Sequence, residues 1–307
     1  MKLGFLTSCM PERSLEDIAE WAKANGYEAL ELAAWPHLGD RPFTASHVKA
    51  AAFDDAEADR VRRALDDHGL VLSALAYYDN NLAPDPAERK AYHAHLRACI
   101  DAAAALGGVP VGTFIGRDPG RSVAENLREA ERVFPPLVDY AGERGVQLMI
   151  ENCVMEGWHP DGYPGNLAYS PELWEWMFEL GLFLNFDPSH LLWLGIDPVD
   201  ALRPYVDRVV HAHAKDAETF RAERNRYGFF GRTSTREHDP WDMGWWRYRI
   251  PGLGEVDFRR YVDTLYQGGF DGALSVEHED PVWGGTPELV EDGLRIAHNN
   301  LRGLVIG

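Results

Sequence analysis

The chain has 307 residues, 45% hydrophobic and 26% charged, which excludes a disordered protein and supplies one large core or two ordinary ones. Forty-nine acidic against 30 basic residues leave a net charge of −19, a field that repels nucleic-acid phosphates and anionic membranes. No apolar run approaches the ~20 residues of a membrane span and the N-terminus does not read as a signal peptide, so a cytoplasmic protein is expected.

Short apolar runs alternate with helical patterns along the chain. LGFLT (3–7) reads as a strand, and SLEDIAEWAKANG as a helix that Ser14 caps and Gly26 closes. ALELAAW (29–35) is the second strand; after a polar excursion through residue 53 comes the helix DDAEADRVRRALDDHG, closed by Gly69. LVLSALAYY (70–78) precedes PAERKAYHAHLRACIDAAAALG, whose Ala-rich spacing suits a long helix on a sheet. VPVGTFIG (109–116) leads into SVAENLREAERVFPPLVDYAGERG, where Pro135-Pro136 should kink or break the helix.

The second half repeats the alternation. VQLMIENC (146–153) and a Gly/Pro-rich loop precede SPELWEWMFELG, with Ser170 as the expected cap and Pro171 at the first helical position. LFLNFDPSH (182–190) is followed by DPVDALRPYVD. RVVHAHAKD (208–216) runs into an aromatic-rich interruption of about 40 residues, then the helix DFRRYVDTLYQGG. GALSVEHED (272–280) is the last strand and TPELVEDGLRIAHNNLRGLV the closing helix.

Eight β-then-α units predict a (β/α)8 TIM barrel, one domain over 1–307 with an insertion at about 217–256. A doubly wound open sheet is the alternative, but TSCMPERS after the first strand is not a glycine-rich phosphate loop. In a barrel the strand C-termini form one ring, and four apolar runs deliver Glu151, Asp187, His213 and Glu277 to it. Three carboxylates and an imidazole suit one divalent ion, Mn²⁺ foremost, with Mg²⁺, Co²⁺ and Zn²⁺ as alternatives. Without a cation the carboxylates would repel one another. Cys9, Cys99 and Cys153 show no CxxC spacing and add neither a disulfide framework nor a thiolate zinc site.

IEN at 150–152, DPSH at 187–190, HAKD at 213–216, PGLGEVDF at 251–258 and SVEHED at 275–280 resemble the signature segments of the sugar phosphate isomerase/epimerase family. This xylose isomerase-like barrel group includes ketose 3-epimerases, inosose dehydratase and, more distantly, endonuclease IV. The resemblance implies that Glu151, Asp187, His213 and Glu277 hold the ion, that Glu151 and Glu277 exchange the substrate proton, and that His190 binds a substrate oxygen.

The expected activity is that of a divalent-metal-dependent isomerase/epimerase on an unphosphorylated keto-sugar or polyol, acting by proton abstraction through a metal-bound enediolate. The alternative is a lyase or dehydratase that expels a β-oxygen from a keto-sugar, keto-glycoside or keto-inositol after the same first step. A phosphorylated substrate is not expected, because no glycine-rich anion loop or Arg/Lys cluster stands at a strand end. A DNA-repair endonuclease would need further metal ligands and a basic groove.

Other candidates are less specific. Lys215 shares the strand face of His213 and either neutralises an enolate or pairs with a ligand carboxylate. Glu156 and His159 follow Glu151 near where the epimerases carry another substrate-binding acid. Trp35 offers a stacking face, Glu31 is a weaker candidate, and His211 reads as a hydrogen-bonded core residue. The insertion holds eight aromatics and seven arginines between 220 and 254. Trp241, Trp245 and Trp246 suggest a lid, with Arg249 facing substrate, or a subunit-contact arm that would make a homodimer.

Overall fold

The structure, a computed structural model, describes residues 1–36, 45–159, 163–229 and 243–306. Its elements in chain order are β1 (Lys2–Leu6), α1 (Leu15–Ala24), β2 (Ala29–Ala33), α2 (Asp55–Asp66), β3 (Val71–Asn80), α3 (Pro86–Ala105) and β4 (Val111–Phe114). Then come α4 (Val123–Val133), α5 (Pro135–Gly142), β5 (Leu148–Glu151), α6 (Pro171–Glu179), β6 (Phe183–Phe186), α7 (Ser189–Trp193) and α8 (Pro198–Leu202). The chain closes with β7 (Val209–Ala214), β8 (Asp216–Thr219), α9 (Arg221–Tyr227), β9 (Trp246–Arg249), α10 (Phe258–Gln267), β10 (Ala273–Val276) and α11 (Pro287–Leu301).

Eight strands close in the order β1-β2-β3-β4-β5-β6-β7-β10, each parallel to its neighbours. This is the (β/α)8 barrel that the alternation predicts. Local chemistry sets the helix ends. Ser14 accepts the Asp17 N–H, Asp54 the Glu57 N–H, and Asp85 the N–H groups of Ala87 and Glu88. Ser122 and Glu125 form a reciprocal capping box on α4. Pro135, which has no N–H to donate, separates α4 from α5 at Phe134, the break expected at Pro135-Pro136. Ser170 stands ahead of α6 as expected, but its side chain accepts no helix N–H.

The main core lies between barrel and helices, built on residues such as Phe5, Leu30, Leu75, Ile150, Leu184 and Leu274. The barrel interior is more polar: Glu31, Asn185, His211 and Ser275 are all buried. Tyr78 reaches across it, and β4 makes room by carrying Gly112, where a Cβ would run into the Tyr78 hydroxyl.

The interruption after β7 is ordered at both ends by an antiparallel ribbon in which Asp216 to Thr219 pair with Arg249 to Trp246. The ribbon's alternation sends Arg247 and Arg249 to Glu218 on one face, and Trp246 and Tyr248 to the other. Trp246 stacks on Trp193 with centroids 4.3 Å apart, and Trp245 and Trp246 are buried with Val154 and Trp193. These two tryptophans therefore form a wall packed against the barrel's own loops. Trp241 lies outside the described residues.

Candidate metal centre

Each candidate side chain reaches the C-terminal mouth for a local reason. β5 is an apolar run that ends on Glu151, and the next residue, Asn152, fixes the neighbouring strand end. The Asn152 amide donates to the Asp187 carbonyl at 2.8 Å and accepts the Asp187 N–H at 2.7 Å, extending the β5–β6 ladder by one rung. Asp187 Oδ1 takes the Ser189 N–H at 2.7 Å, at the start of α7, which leaves Oδ2 for the site. Strand alternation on β7 turns His211, His213 and then Lys215 to the interior, and on β10 turns Ser275 and then Glu277.

Atoms of Glu151, Asp187, His213 and Glu277 converge to within 4.8 Å of one another. Ligands about 2.1 Å from a common octahedral ion stand about 3.0 Å apart when adjacent and about 4.2 Å when opposite, so a sub-ångström contraction suffices. His213 Nδ1 lies 3.4 Å from Glu151 Oε1, 3.3 Å from Glu277 Oε2 and 4.0 Å from Asp187 Oδ2. Asp187 Oδ2, Glu277 Oε2 and His213 Nδ1 are buried yet make no well-angled hydrogen bond. Three converging atoms of a hard-ligand set, two of them facing the Lys215 ammonium, are what a divalent cation satisfies, so the residues fit one.

Behind the quartet, Glu31 Oε2 accepts hydrogen bonds from His213 Nε2 at 2.9 Å and from Ser275 Oγ at 3.0 Å, while its other oxygen accepts one from the Tyr78 hydroxyl at 2.8 Å. A proton held on Nε2 leaves the Nδ1 lone pair facing the carboxylates, as a metal-binding imidazole requires. Glu31, only a weak candidate from its place on β2, orients His213. His211 is the hydrogen-bonded interior residue expected, between Asn185 and Ser73, and burial pushes its imidazole down to about 4.

Lys215 is fully buried, with Nζ 2.6 Å from Glu277 Oε2, 3.3 Å from Asp187 Oδ2, 3.1 Å from Glu279 Oε2, and 4.5 Å above the Tyr248 ring centre. Burial opposes the charge of every group here, and the partners overcome it. Lys215 and His213 hold Glu277 well below the usual carboxylate range, and Glu31 and Glu277 raise His213 well above 6.5. Glu151 is lowered, against both burial and the Glu277 charge, by the adjoining His190 and His213 rings. Burial raises Glu279 despite Lys215. The net pull is towards positive charge at the centre of the quartet.

His190 is buried against the quartet, Nε2 3.3 Å from Glu151 and 3.4 Å from Asp187, with Nδ1 held 2.7 Å from the Tyr248 hydroxyl. Trp35, Lys215, Glu151 and Glu277 line a cavity of about 920 Å³ above the quartet. Glu156 and His159 do not line it: both are half-buried in the β5–α6 loop, where the His159 ring meets Tyr163 edge-on. Arg249 is likewise absent from the lining, because its guanidinium binds Asp280 at 2.9 Å and Glu218 at 2.6 Å. Glu279 and Tyr248 were not singled out from sequence. The period-two spacing of Trp246 and Tyr248 was the available sign that Tyr248 faces inward.

The motif acids divide their work. Asp216 takes the N–H groups of Ala217, Gly252, Gly254 and Val256, each at 2.9 Å, and so pins the PGLGEV segment under the ribbon. Asp280 does the same for Ile250 and Val282.

Residues 19–299 match the family described as xylose isomerase-like TIM barrel. The chain belongs to that family. The xylose isomerase-like barrel is similar to the protein YfiH of Bacillus subtilis, 27% identical over 310 residues that cover 91% of this chain and 93% of that one. It is 32% identical to an inosose dehydratase of Clostridium perfringens over 104 residues, 33% of this chain and 32% of that enzyme. The crystal structure of a D-psicose 3-epimerase, determined in the presence of D-fructose, shares the fold with a TM-score of 0.70 and 17% identity over 100% of both chains. Among the described residues no helix is long and apolar enough to cross a membrane.

Proposed function

We propose that this xylose isomerase-like barrel is a divalent-metal-dependent isomerase or epimerase of an unphosphorylated keto-sugar or polyol. The observation that carries the reading is which ligands line the cavity: of the four, Glu151 and Glu277 do, whereas Asp187 and His213 lie beneath. In this reading the two carboxylates, from β5 and from the end of β10, act on one substrate carbon. A bound divalent ion supplies Lewis-acid stabilisation of the negative charge that builds on substrate oxygens as a C–H bond breaks, and Mn²⁺ suits the donor set, with Mg²⁺, Co²⁺ and Zn²⁺ as competitors. Glu151 or Glu277 removes the proton beside the carbonyl. The other carboxylate returns one to the opposite face in epimerisation, or the proton goes to the adjacent carbon in isomerisation. His190, buried outside the described cavity lining with its ring between the Tyr248 hydroxyl and Glu151, would in this reading steady the Glu151 carboxylate, and it reaches a substrate oxygen only if substrate displaces one of those contacts. Lys215 is the one Lys or Arg among the described cavity-lining residues, and three carboxylates already surround it, which leaves no free cation for a phosphate.

A lyase is the second reading, favoured by Lys215 Nζ at 2.6 Å from Glu277: an ammonium there can protonate an oxygen departing from the β-carbon. Incubation of the Mn²⁺-loaded protein with ketoses, keto-glycosides and keto-inositols in D₂O, read by NMR, separates the two. Deuterium at the carbon beside the carbonyl without loss of an oxygen substituent supports the isomerase/epimerase, and an unsaturated product the lyase. No exchange and no product across the panel refutes both.

A further inference from the structure

Resting on the reading above, we infer that the substrate is a keto-sugar carrying a second ring through its glycosidic oxygen, rather than a free monosaccharide. The reacting carbons must reach Glu151 and Glu277, at the floor of the cavity of about 920 Å³. Even if each of a hexose's twelve non-hydrogen atoms took the roughly 30 Å³ that a water occupies in the liquid, the sugar would fill about 360 Å³. More than half of the cavity remains.

That remainder has an aromatic wall that starts at the quartet. The Tyr78 ring lies 6.1 Å from the His213 ring, Phe114 5.1 Å from Tyr78, and Trp158 5.4 Å from Phe114, while Trp35 stands 6.0 Å from Tyr78 on the other side. All four aromatics line the cavity. The backbone at Trp158 is fixed: its main-chain N–H bonds the Met155 carbonyl at 3.0 Å, and a Cβ on Gly165 would collide with the Met155 carbonyl and the Trp158 Cβ. Met155 itself has φ +50°, a conformation costly for a non-glycine residue and here the turn that presents Trp158. Aromatic faces fixed along one wall bind the flat or apolar face of a ring. A monosaccharide held at the glutamates would leave Trp158, the half-buried outer end of this row, without a ring to contact. Asp79, Glu88 and Asp280 line the same cavity, so the second ring is neutral rather than anionic.

The test uses the Mn²⁺-loaded full chain and three probes that share one reacting ring: 3-ketoglucose, its phenyl β-glycoside and 3-ketocellobiose. Dissociation constants come from quenching of tryptophan fluorescence, and kcat/KM from deuterium incorporation. The inference expects at least tenfold tighter binding and higher kcat/KM for one or both two-ring probes than for 3-ketoglucose; the phenyl and glucosyl arms say which ring is preferred. Trp158→Leu and Phe114→Leu should lower the two-ring values at least tenfold more than those of 3-ketoglucose. Equal values for all three probes, or equal losses for all three in a variant that keeps the wild-type circular dichroism spectrum, overturn it. Because binding is measured apart from exchange, a two-ring binding preference without any exchange would sink the proposed reaction while leaving this inference standing.

Discussion

Glu31 makes the site's most demanding prediction, because it touches neither the cavity nor the proposed ion. Its carboxylate takes three donors, from His213, Ser275 and Tyr78. In Glu31→Gln one of the two oxygens becomes an NH₂. If the amide faces His213, the Nε2 proton has no acceptor; the ring turns to its other tautomer and presents N–H to the carboxylates instead of a lone pair. If it faces Tyr78, the hydroxyl, which already receives the Asn185 amide at 2.7 Å, loses its acceptor. Either arrangement breaks the relay that orients His213. Outer partners of metal-bound histidines are typically worth 10–100-fold in metal affinity, about 1.4–2.7 kcal/mol. Competition of Mn²⁺ against a fluorescent chelator near neutral pH should show a loss in that range, with the Glu31→Gln fold verified by circular dichroism. A folded variant whose Mn²⁺ dissociation constant stays within threefold of wild type would refute this role.

Three further outcomes are expected. With Mn²⁺ in excess, Glu151→Gln and Glu277→Gln should bind substrate but lose at least about 10²-fold in kcat; turnover within a few-fold of wild type in both would remove the proton-transfer assignment. Burial lowers His47 to about 4, so the folded protein holds the ring neutral while the unfolded chain protonates it below about 6.5. Stability is thus full above 6.5 and declines towards pH 4, by roughly 2 kcal/mol at pH 5, and urea titrations of His47→Gln should show a correspondingly smaller loss between pH 7 and pH 5. Asp216→Ala leaves four N–H groups without an acceptor and should cost about 3 kcal/mol or more in urea unfolding; a loss under 1 kcal/mol would show that the PGLGEV segment holds itself in place.

The quartet was legible in sequence because each member lies within one residue of the C-terminal end of a strand, and barrel topology alone then brings the four together. Helix boundaries at Ser14, Asp54 and Pro135 were legible because capping and the missing proline N–H act within a few residues. Glu31 was not, since nothing within β2 distinguishes a carboxylate that orients a histidine 182 positions away from a polar residue at a strand's edge. The partners of Arg249 and of the tryptophans in the interruption were not legible, for a related reason. Aromatic and arginine density signals burial or binding without saying against what, and the partners, Asp280, Val154 and Trp193, come from other strand ends.

The central claim is that a single divalent ion is held by Glu151, Asp187, His213 and Glu277. Its most direct test is elemental analysis of the Mn²⁺-loaded, dialysed protein beside Asp187→Ala and His213→Ala, with circular dichroism confirming the fold of each. The account predicts one equivalent per chain in the wild type and far less than one in either variant. Retention of a full equivalent by both folded variants, or no tightly held ion in the wild type, would contradict it.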